Sequence, residues 1–510
     1  MSRLQEGDGE GDGETPTLSQ LARQVFERDP STAVLEYQGR WYTCGQMREL
    51  AQQLSLAIAE SGASAHATVA LAARNRPSAV AALLGLLALG RSVEMIYPFQ
   101  SGAGVARDLA SLKSAILLAA GPDLSHEVRA AARREGVALI ALGDMDVRAE
   151  PGWQRARPER APEVAHEPRI GVLTSGTTGP PKRFPISHGL VASYVTRGNL
   201  LYALHGAQTA TMPPVLLSFP LGNITGIYST VPTLIAGLRV VLLDRFTLDG
   251  WRDHVRRYRP AHTGMLPSGV QMLLDADVPA DELDCIKSLG TGAAPLDPAV
   301  QRAFEGRYGI PILLSYGATE FGGRVTAMTA ELHASWGQQK VGSVGRAVQG
   351  AQLRVVDPQT RAVLGPGEEG LLEVVSPHMG PEWIRTTDVG VIDHDGFVFL
   401  SGRADGAITR GGFKILPETI ERALLLHPVV SAAAVVGVAD RRLGQTPVAA
   451  IELRPGVSAP ATAELEAHLR QHLLATHIPT RLRFVDALPR TPSMKVDRRG
   501  VRALFDESAR

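Results

Sequence analysis

The chain has 510 residues with 52 basic and 52 acidic side chains, so it is long enough for more than one domain and carries no net charge. This balance gives no indication of a nucleic acid or an anionic membrane as partner. Two cysteines, Cys44 and Cys285, are too few for a disulfide scaffold or a cysteine metal site, and they predict a reducing, cytoplasmic location. The longest apolar run, residues 79–89, is too short to span a bilayer, and no secretory signal precedes it.

The N-terminal third of the chain alternates between helical and strand patterns. Residues 1–15 are rich in Gly, Glu and Asp and predict a disordered tail. Apolar residues at helical spacing, from Met47 to Ile58, then predict a helix that ends near Gly62. Short apolar runs and helical patterns alternate up to residue 142, which predicts a parallel sheet with helices on both faces. Residues 149–168 contain four prolines and many charges, which is typical of an exposed linker.

A loop rich in hydroxyl groups and glycine follows the apolar strand pattern of residues 170–173. Its members are Thr174, Ser175, Gly176, Thr177, Thr178, Gly179, Pro180, Pro181 and Lys182. Glycine lets the backbone approach a ligand closely, and clustered N–H and O–H donors suit an anion, above all a phosphate. The spacing differs from a Walker loop, in which lysine directly follows the second glycine. The alternative is an ordinary surface turn, but the density of donors favours phosphate binding.

The remainder of the chain predicts a second α/β layer and then two smaller units. Residues 190–202 are predicted to be helical, and residues 219–226 form a turn-rich interruption. Short apolar runs separated by amphipathic helices continue to residue 314. From Gly342 the pattern changes to short strands, and Asp-Gly at residues 395–396 is a strong hairpin signal, which together predict an antiparallel β unit. After Arg403 the alternation returns and predicts an α+β domain.

Two further features point to nucleotide chemistry. Glu320 follows a predicted strand in the segment Ser315–Tyr316–Gly317–Ala318–Thr319–Glu320, at the edge where α/β folds bind ligands. Because Mg²⁺ prefers few carboxylates plus phosphate oxygens, Glu320 is a candidate metal ligand, and Thr319 is a candidate phosphate donor. The alternative is a solvated carboxylate in a loop. In addition, only six of the 52 basic residues are lysines, which draws attention to Lys182 and Lys495 because an ammonium is a compact point charge.

Taken in chain order, these motifs closely resemble those of the AMP-forming adenylating enzymes, which include acyl-CoA synthetases, peptide-synthetase adenylation domains and firefly luciferase. The resemblance runs from about residue 170 to residue 495 and is strongest to an acyl-CoA ligase. It implies an α/β fold with a large N-terminal domain, made of two α/β subdomains plus a small β barrel, followed by a small mobile α+β C-terminal domain. The expected limits are residues 16–404 for the N-terminal domain (16–165, 166–341 and 342–404) and 405–510 for the C-terminal domain.

The resemblance also implies a role for each matching residue. Lys495, Thr319 and Glu320 would be catalytic, with Glu320 holding Mg²⁺. The residues implied in ATP and AMP binding are Thr174, Ser175, Gly176, Thr177, Thr178, Gly179, Lys182, Gly292, Ala293, Ala294, Pro295, Tyr316, Gly317, Asp388 and Arg403. The acid pocket would be lined by Asn223, Gly226 and Ala318, the coenzyme A channel by Gly411, Gly412 and Phe413, and the hinge would be Asp405 and Gly406. The chain departs from the family pattern at Arg183, Asn223, Thr387, Gly406 and Met494.

The function implied is ATP- and Mg²⁺-dependent conversion of a carboxylic acid to an acyl-AMP with release of pyrophosphate, followed by thioester formation with coenzyme A. Residues 219–226 contain no Asp or Glu to hold a substrate ammonium, so a fatty, cyclic or aromatic acid is favoured over an amino acid. Two alternatives stay open. One is a ligase that loads the phosphopantetheine of a separate carrier protein, and the other is an inactive nucleotide or acyl-AMP binder.

Overall fold

The computed structural model describes residues 16–97, 100–152, 156, 167–174, 182–198, 209, 211–410, 413–440, 443–491 and 494–505. The predicted tail, most of the predicted linker, loop residues 175–181 and the glycines at 411 and 412 lie outside this set. Across the described residues, no helix is both long enough and apolar enough to cross a membrane.

The first part of the chain is an α/β layer. Its strands are β1 (Ala33–Tyr37), β2 (Arg40–Thr43), β3 (Val69–Ala72), β4 (Val93–Ile96), β5 (Ile116–Ala120), β6 (Ala138–Leu142), β7 (Val147–Ala149), β8 (Arg169–Thr174) and β9 (Lys182–Ser187). Its helices are α1 (Leu18–Glu27), α2 (Cys44–Glu60), α3 (Pro77–Ala88), α4 (Gly102–Ser111), α5 (His126–Glu135) and α6 (His188–Ser193), the last continued by a π-helical turn at Tyr194–Gly198.

Seven of these strands form one sheet in the order β7-β6-β5-β3-β4-β8-β9. The five inner strands run parallel and the two edge strands run antiparallel to their neighbours. The parallel sheet predicted from the alternating pattern is therefore confirmed. Helix α3 is buried on every side, as its continuous apolar sequence requires, whereas α2 buries one stripe that includes Met47 and Ile58.

A buried ion pair lies beneath the β8–β9 hairpin. Glu94 on β4 is 8% exposed, and its Oε2 atom is 3.6 Å from Nε of Arg183 on β9. Gly171 on β8 leaves the room that this carboxylate occupies, because a Cβ at that position would lie 1.9 Å from Glu94 Oε2. Burial raises the pKa of Glu94, and the positive charges of Arg183 and Arg169 oppose that shift. The pair thus joins the hairpin that carries the phosphate-loop motif to the centre of the sheet.

The second part of the chain adds two more sheets. Its strands are β10 (Val215–Leu217), β11 (Val240–Leu242), β12 (His262–Gly264), β13 (Ser288–Thr291), β14 (Ile312–Ala318), β15 (Gly323–Ala327) and β16 (Arg346–Ala347). Its helices are α7 (Ile224–Ile235), α8 (Leu248–Tyr258), α9 (Pro267–Asp275), α10 (Pro298–Tyr308) and α11 (Ala330–Trp336). Strands β12 to β16 pair in chain order, while β10 and β11 join β1 and β2 in a four-stranded sheet.

The β unit that follows consists of β17 (Gln352–Val356), β18 (Glu369–Val375), β19 (Ile384–Ile392) and β20 (Val398–Arg403). They form an antiparallel sheet in sequential order, and the predicted hairpin at residues 395–396 joins β19 to β20. The sequence resemblance implied a small β barrel for this unit. Among the described residues, its strands pair as a four-stranded sheet in the order β17-β18-β19-β20.

The C-terminal part contains β21 (Ile408–Arg410), β22 (Phe413–Ile415), β23 (Val430–Asp440), β24 (Gly444–Leu453) and β25 (Arg481–Val485), with helices α12 (Pro417–Leu425), α13 (Thr462–His472) and α14 (Arg498–Ala503). Its sheet has the order β22-β21-β24-β23, with β25 beside β24. Arg454 approaches Asp275 of α9 to 3.7 Å, and Arg422 donates to the Ser401 carbonyl at 3.4 Å. The large α/β part and the smaller C-terminal part agree with the predicted fold class. The exact domain limits stay a prediction.

Candidate active site

The site is built at the carboxyl ends of β13 and β14, which run parallel and so end at the same edge of their sheet. The loop after β13 carries residues 292–295, which the resemblance implies in ATP and AMP binding. Gly292 is packed against Ser315 so closely that a Cβ would lie 2.9 Å from the serine hydroxyl. Ala293 follows with a φ of 65°, in the left-handed region. The sequence motifs at residues 292–295 and 315–320 are therefore neighbours in space.

Asp388, one of the residues implied in ATP and AMP binding, lies on β19 and contacts Tyr316 of β14. Its carboxylate accepts a 2.5 Å hydrogen bond from the Tyr316 hydroxyl, and its backbone N–H donates to the Thr386 hydroxyl at 3.0 Å. Burial raises the pKa of Asp388, while the bond from Tyr316 and the positive charge of Arg403 act in the opposite direction. One of the two carboxylate oxygens already has a protein partner, so the orientation of the group is set by the protein.

Arg403 lies directly opposite Asp388 in the β19–β20 register. Its guanidinium donates to both carboxylate oxygens of Asp405, at 3.0 and 2.8 Å, and to the Thr387 hydroxyl at 2.7 Å. The Nε atom is also 3.8 Å from Asp388 Oδ1. Thr387, which replaces the usual family glycine, thus supplies a partner that glycine could not supply.

Lys495 approaches this group from the C-terminal domain. Arg490 and Val496 form an isolated bridge, and the turn between them is closed by the Thr491 N–H donating to the Lys495 carbonyl at 2.7 Å. The side chain keeps exposed surface, but the surrounding protein displaces water from its ammonium. This desolvation is the main cause that lowers the pKa of Lys495; the charge of Arg403 adds to it, and Glu320 opposes it.

Met494 occupies the position where the family pattern has glycine, and the structure gives a physical reason for that pattern. Its φ is 62°, in the left-handed region that glycine enters most easily. The turn that presents Lys495 therefore keeps its left-handed geometry with a methionine in place.

The phosphate-loop motif closes the β8–β9 hairpin. Thr174 pairs with Lys182 in the antiparallel register, so both ends of the loop are held at one point. Ser175, Gly176, Thr177, Thr178 and Gly179 lie outside the described residues, as do the side chains of Thr174 and Lys182. Their assignment to phosphate binding stays a prediction.

Glu320 lies in a 3₁₀ turn, Thr319–Phe321, that directly follows β14. Over the part of the chain that the structure describes, no three His, Cys, Asp or Glu side chains are grouped so that they could hold a metal ion together. Mg²⁺ is usually bound by one or two carboxylates, substrate phosphates and water, so a site without a three-residue cluster is compatible with it. The assignment of Glu320 to Mg²⁺ stays a prediction.

The predicted acid-pocket residues have different environments. Asn223 is the N-cap of α7, and its side-chain oxygen accepts from the Gly226 N–H at 2.7 Å. Gly226 is buried against the Pro220 carbonyl, where a Cβ would come within 2.1 Å. A glycine is therefore needed for the close packing at the start of α7. Ala318 pairs with Gly323 across β14 and β15. Whether these three residues contact an acid stays a prediction.

Three aromatic residues that the sequence analysis did not single out meet at Gly323. The rings of Tyr194 and Tyr228 stack at 4.1 Å with an interplanar angle of 8°, and His378 packs edge-on against Tyr194 at 5.7 Å. The three residues come from the π-helical turn, from α7 and from the segment after β18, so only tertiary structure unites them. The available signal was the rarity of tyrosine, because the chain has nine tyrosines and one of them, Tyr228, lies two residues after the 219–226 stretch.

The hinge and coenzyme A predictions fall on a short segment after β20. Asp405 and Gly406 form a 3₁₀ turn, and a Cβ on Gly406 would meet no atom within 4 Å. Strands β21 and β22 then form a hairpin whose tip, Gly411 and Gly412, lies outside the described residues, as does the Phe413 side chain. The roles of all five residues stay predictions.

The fold has two α/β domains. One sheet edge brings together Tyr316, Asp388, Arg403 and Glu320, and the smaller domain presents a lysine. This arrangement is that of a nucleotide-using enzyme. Family models agree. The AMP-binding enzyme model matches residues 21–382, and the AMP-binding enzyme C-terminal domain model matches residues 419–495. The chain therefore belongs to the AMP-binding enzyme family, and the predicted resemblance to adenylating enzymes is confirmed.

Relatives and solved structures are consistent with this assignment. The chain is 30% identical over 483 residues to a sulfoacetate–CoA ligase of Cupriavidus necator, covering 90% of this chain and 92% of the relative. It is 27% identical over 507 residues to 4-coumarate–CoA ligase 2 of Petroselinum crispum, covering 93% of this chain and 91% of the relative. The fold matches ATP-bound MatB of Rhodopseudomonas palustris with a TM-score of 0.78 at 22% identity, covering 96% of this chain and all (100%) of that one.

Proposed function

We propose that the protein is an AMP-forming carboxylate–CoA ligase, which activates a carboxylic acid with ATP and transfers the acyl group to the thiol of coenzyme A. The observation that carries the proposal is the geometry at the sheet edge, where the Tyr316 hydroxyl donates to Asp388 at 2.5 Å and Nε of Arg403 lies 3.8 Å from the same carboxylate. Lys495 of the smaller domain faces Glu320, the metal-ligand candidate, and the nucleotide residues of the larger domain. This arrangement suits adenylation.

The first half-reaction brings two anions together, an acid carboxylate and the α-phosphate of ATP. The Lys495 ammonium would lie between them and stabilise the charge that develops in the transition state. Asp388, held by Tyr316, would accept from ribose hydroxyls through its second oxygen, and Arg403 would orient the nucleotide. Mg²⁺, bound by Glu320 and the substrate phosphates, would supply charge neutralisation for the departing pyrophosphate.

The second half-reaction requires a thiol to reach the acyl-AMP. Support for coenzyme A as the acceptor comes from the relatives, since those named above are CoA ligases over about nine-tenths of this chain's length. The Gly411–Gly412–Phe413 hairpin would line the passage of the pantetheine arm. Transfer to the phosphopantetheine of a carrier protein is the alternative acceptor.

The acid is proposed to be fatty, cyclic or aromatic. Support comes from residues 219–226, which contain no acidic side chain to hold a substrate ammonium. The neutral aromatic residues Tyr194, Tyr228 and His378, close to Ala318, offer a surface for an uncharged acyl group.

The test is a panel of fatty, cyclic and aromatic acids incubated with ATP, Mg²⁺ and coenzyme A, in which pyrophosphate, AMP and acyl thioester are measured. We expect acid-dependent pyrophosphate release and thioester formation with at least one class. A carrier protein replacing coenzyme A decides the acceptor. Nucleotide binding without pyrophosphate release from any acid would instead indicate an inactive binder.

A further inference from the structure

The segment that presents Lys495 is fixed to the rest of the smaller domain by Arg498. This arginine is the first residue of α14, three positions after the lysine. Its guanidinium donates to the Val435 carbonyl on β23 at 2.6 Å, and it also contacts two carboxylates of α12. Because only two residues separate Arg498 from Lys495, the position of the lysine depends on what holds the arginine.

The two carboxylates of α12 make different contacts. Glu421 accepts from the Val435 N–H at 2.8 Å and lies 3.2 Å from Arg498, so it joins the arginine to β23 within the smaller domain. Glu418 accepts from Nη2 of Arg498 at 2.9 Å through its Oε1 atom. Its other oxygen, Oε2, is shielded from solvent and has no hydrogen-bond partner among the described residues. One half of the Glu418 carboxylate therefore holds Arg498, and the other half lies elsewhere.

The Oε2 atom of Glu418 lies against β20 of the larger domain. A Cβ built on Gly402 would be 2.6 Å from this oxygen, so the carboxylate occupies the space that a side chain would take there. The φ of Gly402 is 153°, which is a second reason for a glycine at this position. One helical turn after Glu418, Arg422 donates to the Ser401 carbonyl at 3.4 Å. The start of α12 therefore rests on the backbone of residues 401–402.

These contacts form a continuous path between the two parts of the site. Gly402 directly precedes Arg403, one of the residues implied in nucleotide binding. From β20 the path runs through Glu418 to Arg498, and it ends at the turn that carries Lys495. The distance between the Lys495 ammonium and the nucleotide residues is thus set in part by how Glu418 rests on β20.

We propose that Glu418 positions Lys495 for adenylation by joining the segment of the lysine to strand β20. The carboxylate holds Arg498 through one oxygen and rests on the Gly402 backbone with the other. This inference rests on the proposed ligase function and gives a role in its first half-reaction to a residue that would touch neither acid nor nucleotide. Thioester formation does not place an ammonium between two anions, so it does not depend on this path.

The experiment measures the two half-reactions separately in the wild type and in Glu418→Ala. We expect kcat for acid-dependent pyrophosphate release to fall by about tenfold, because a small misplacement of a catalytic group slows a reaction strongly. The KM for ATP should stay within about twofold, since the nucleotide residues of the larger domain are unchanged. Thioester formation from synthetic acyl-AMP and coenzyme A should also stay within about twofold. A loss confined to kcat of the first half-reaction is the expected result.

A conservative variant and a matched control accompany this measurement. Glu418→Gln keeps an oxygen that accepts from Arg498, so it should retain about half or more of the wild-type rate of pyrophosphate release. Glu466→Ala removes a carboxylate of the same domain whose ion pair with Arg470, at 3.6 Å, lies on the exposed face of α13, and it should leave both half-reactions unchanged. Arg498 itself is kept, because its loss would leave two partly buried carboxylates without their cation.

Three results in Glu418→Ala would overturn the inference while leaving the ligase function intact. Equal losses in both half-reactions, with a lower melting temperature, would show a purely structural role. Unchanged pyrophosphate release would show that Lys495 is positioned without Glu418. Faster pyrophosphate release would show that the unpaired Oε2 atom opposes the contact with β20. If the wild type releases no pyrophosphate with any acid, the proposed function itself fails, and the inference fails with it.

Discussion

The nucleotide side and the proposed acid side of the site differ in how their polar groups are paired. On the nucleotide side, charged groups already hold one another: Asp388 accepts from Tyr316, and Arg403 donates to both Asp405 and Thr387. On the side proposed for the acid, the rings of Tyr194, Tyr228 and His378 meet, and the Tyr228 hydroxyl and Nδ1 of His378 have no hydrogen-bond partner among the described residues. The charged groups are therefore paired within the protein, and these two polar atoms are not paired among the described residues.

This difference follows from what each side must recognise. Every turnover uses the same nucleotide, so fixed charges can be oriented in advance and need no reorganisation during the reaction. The residues proposed for the acid side would instead select among acids, because an acid that leaves a buried polar group unsatisfied would bind less well. Substitutions on the nucleotide side should therefore lower activity with all acids alike, and those on the acid side should change the preference among acids.

The largest effect is expected for Lys495→Ala. Adenylation should fall by at least about a hundredfold for every acid, because loss of one preorganised donor to a developing charge typically costs that much. Thioester formation from synthetic acyl-AMP and coenzyme A should change little. Pyrophosphate release and thioester formation are measured separately, with the exposed Lys113→Ala as control. An adenylation rate near that of the wild type would show that Lys495 does not act in adenylation.

Gly406→Pro tests whether Lys495 leaves the nucleotide side between the half-reactions. Proline fixes φ near −65°, so it should hinder rotation at this turn and lower thioester formation by about tenfold or more, with adenylation less affected. Gly406→Ala is the matched control, since the structure leaves open space for a Cβ there, and it should retain both activities. Equal losses in both half-reactions of the proline variant would argue against a hinge at this residue.

Glu320→Gln should raise the Mg²⁺ concentration needed for half-maximal rate by about fivefold, since it removes one ligand charge from the proposed metal position. The order of preference among acids should stay the same. A magnesium titration with two acids measures both quantities, and Glu331→Gln on α11 serves as the exposed control. If the titration is unchanged, Glu320 is a solvated loop carboxylate.

The smallest effect is expected at Asn223, where the structure supplies a second role. Asn223→Ala removes the N-cap of α7 and should lower the free energy of unfolding by about 1 kcal/mol, whereas Asn223→Ser retains a capping oxygen and should not. Asn223→Phe would narrow the pocket and shift preference toward smaller acids with the ATP KM unchanged. Urea unfolding and an acid panel separate the two roles. Uniform losses for all acids in the phenylalanine variant would leave only the cap.

The sequence was sufficient where an element follows from a local pattern. The Met47–Ile58 helix, the parallel sheet and the hairpin at residues 395–396 follow from periodicity and turn chemistry, and they are present. The convergence of Asp388 and Arg403 was implied by motif order, although the Tyr316–Asp388 bond was not. Tyr194, Tyr228 and His378 could not be grouped because they are far apart in the sequence and their meeting depends on how three elements pack around Gly323.

The ion pair of Glu94 and Arg183 has a consequence for how this chain can vary. Replacing Arg183 alone would leave the buried Glu94 carboxylate with Arg169 as a more distant cation, at 3.9 Å, and should destabilise the fold, whereas replacing both partners with apolar residues of similar volume can be neutral. Gly171 is part of the same constraint, because any larger residue would occupy the position of the Glu94 carboxylate. In an alignment of orthologues, we therefore expect these positions to covary, with the acid and the base appearing together or disappearing together.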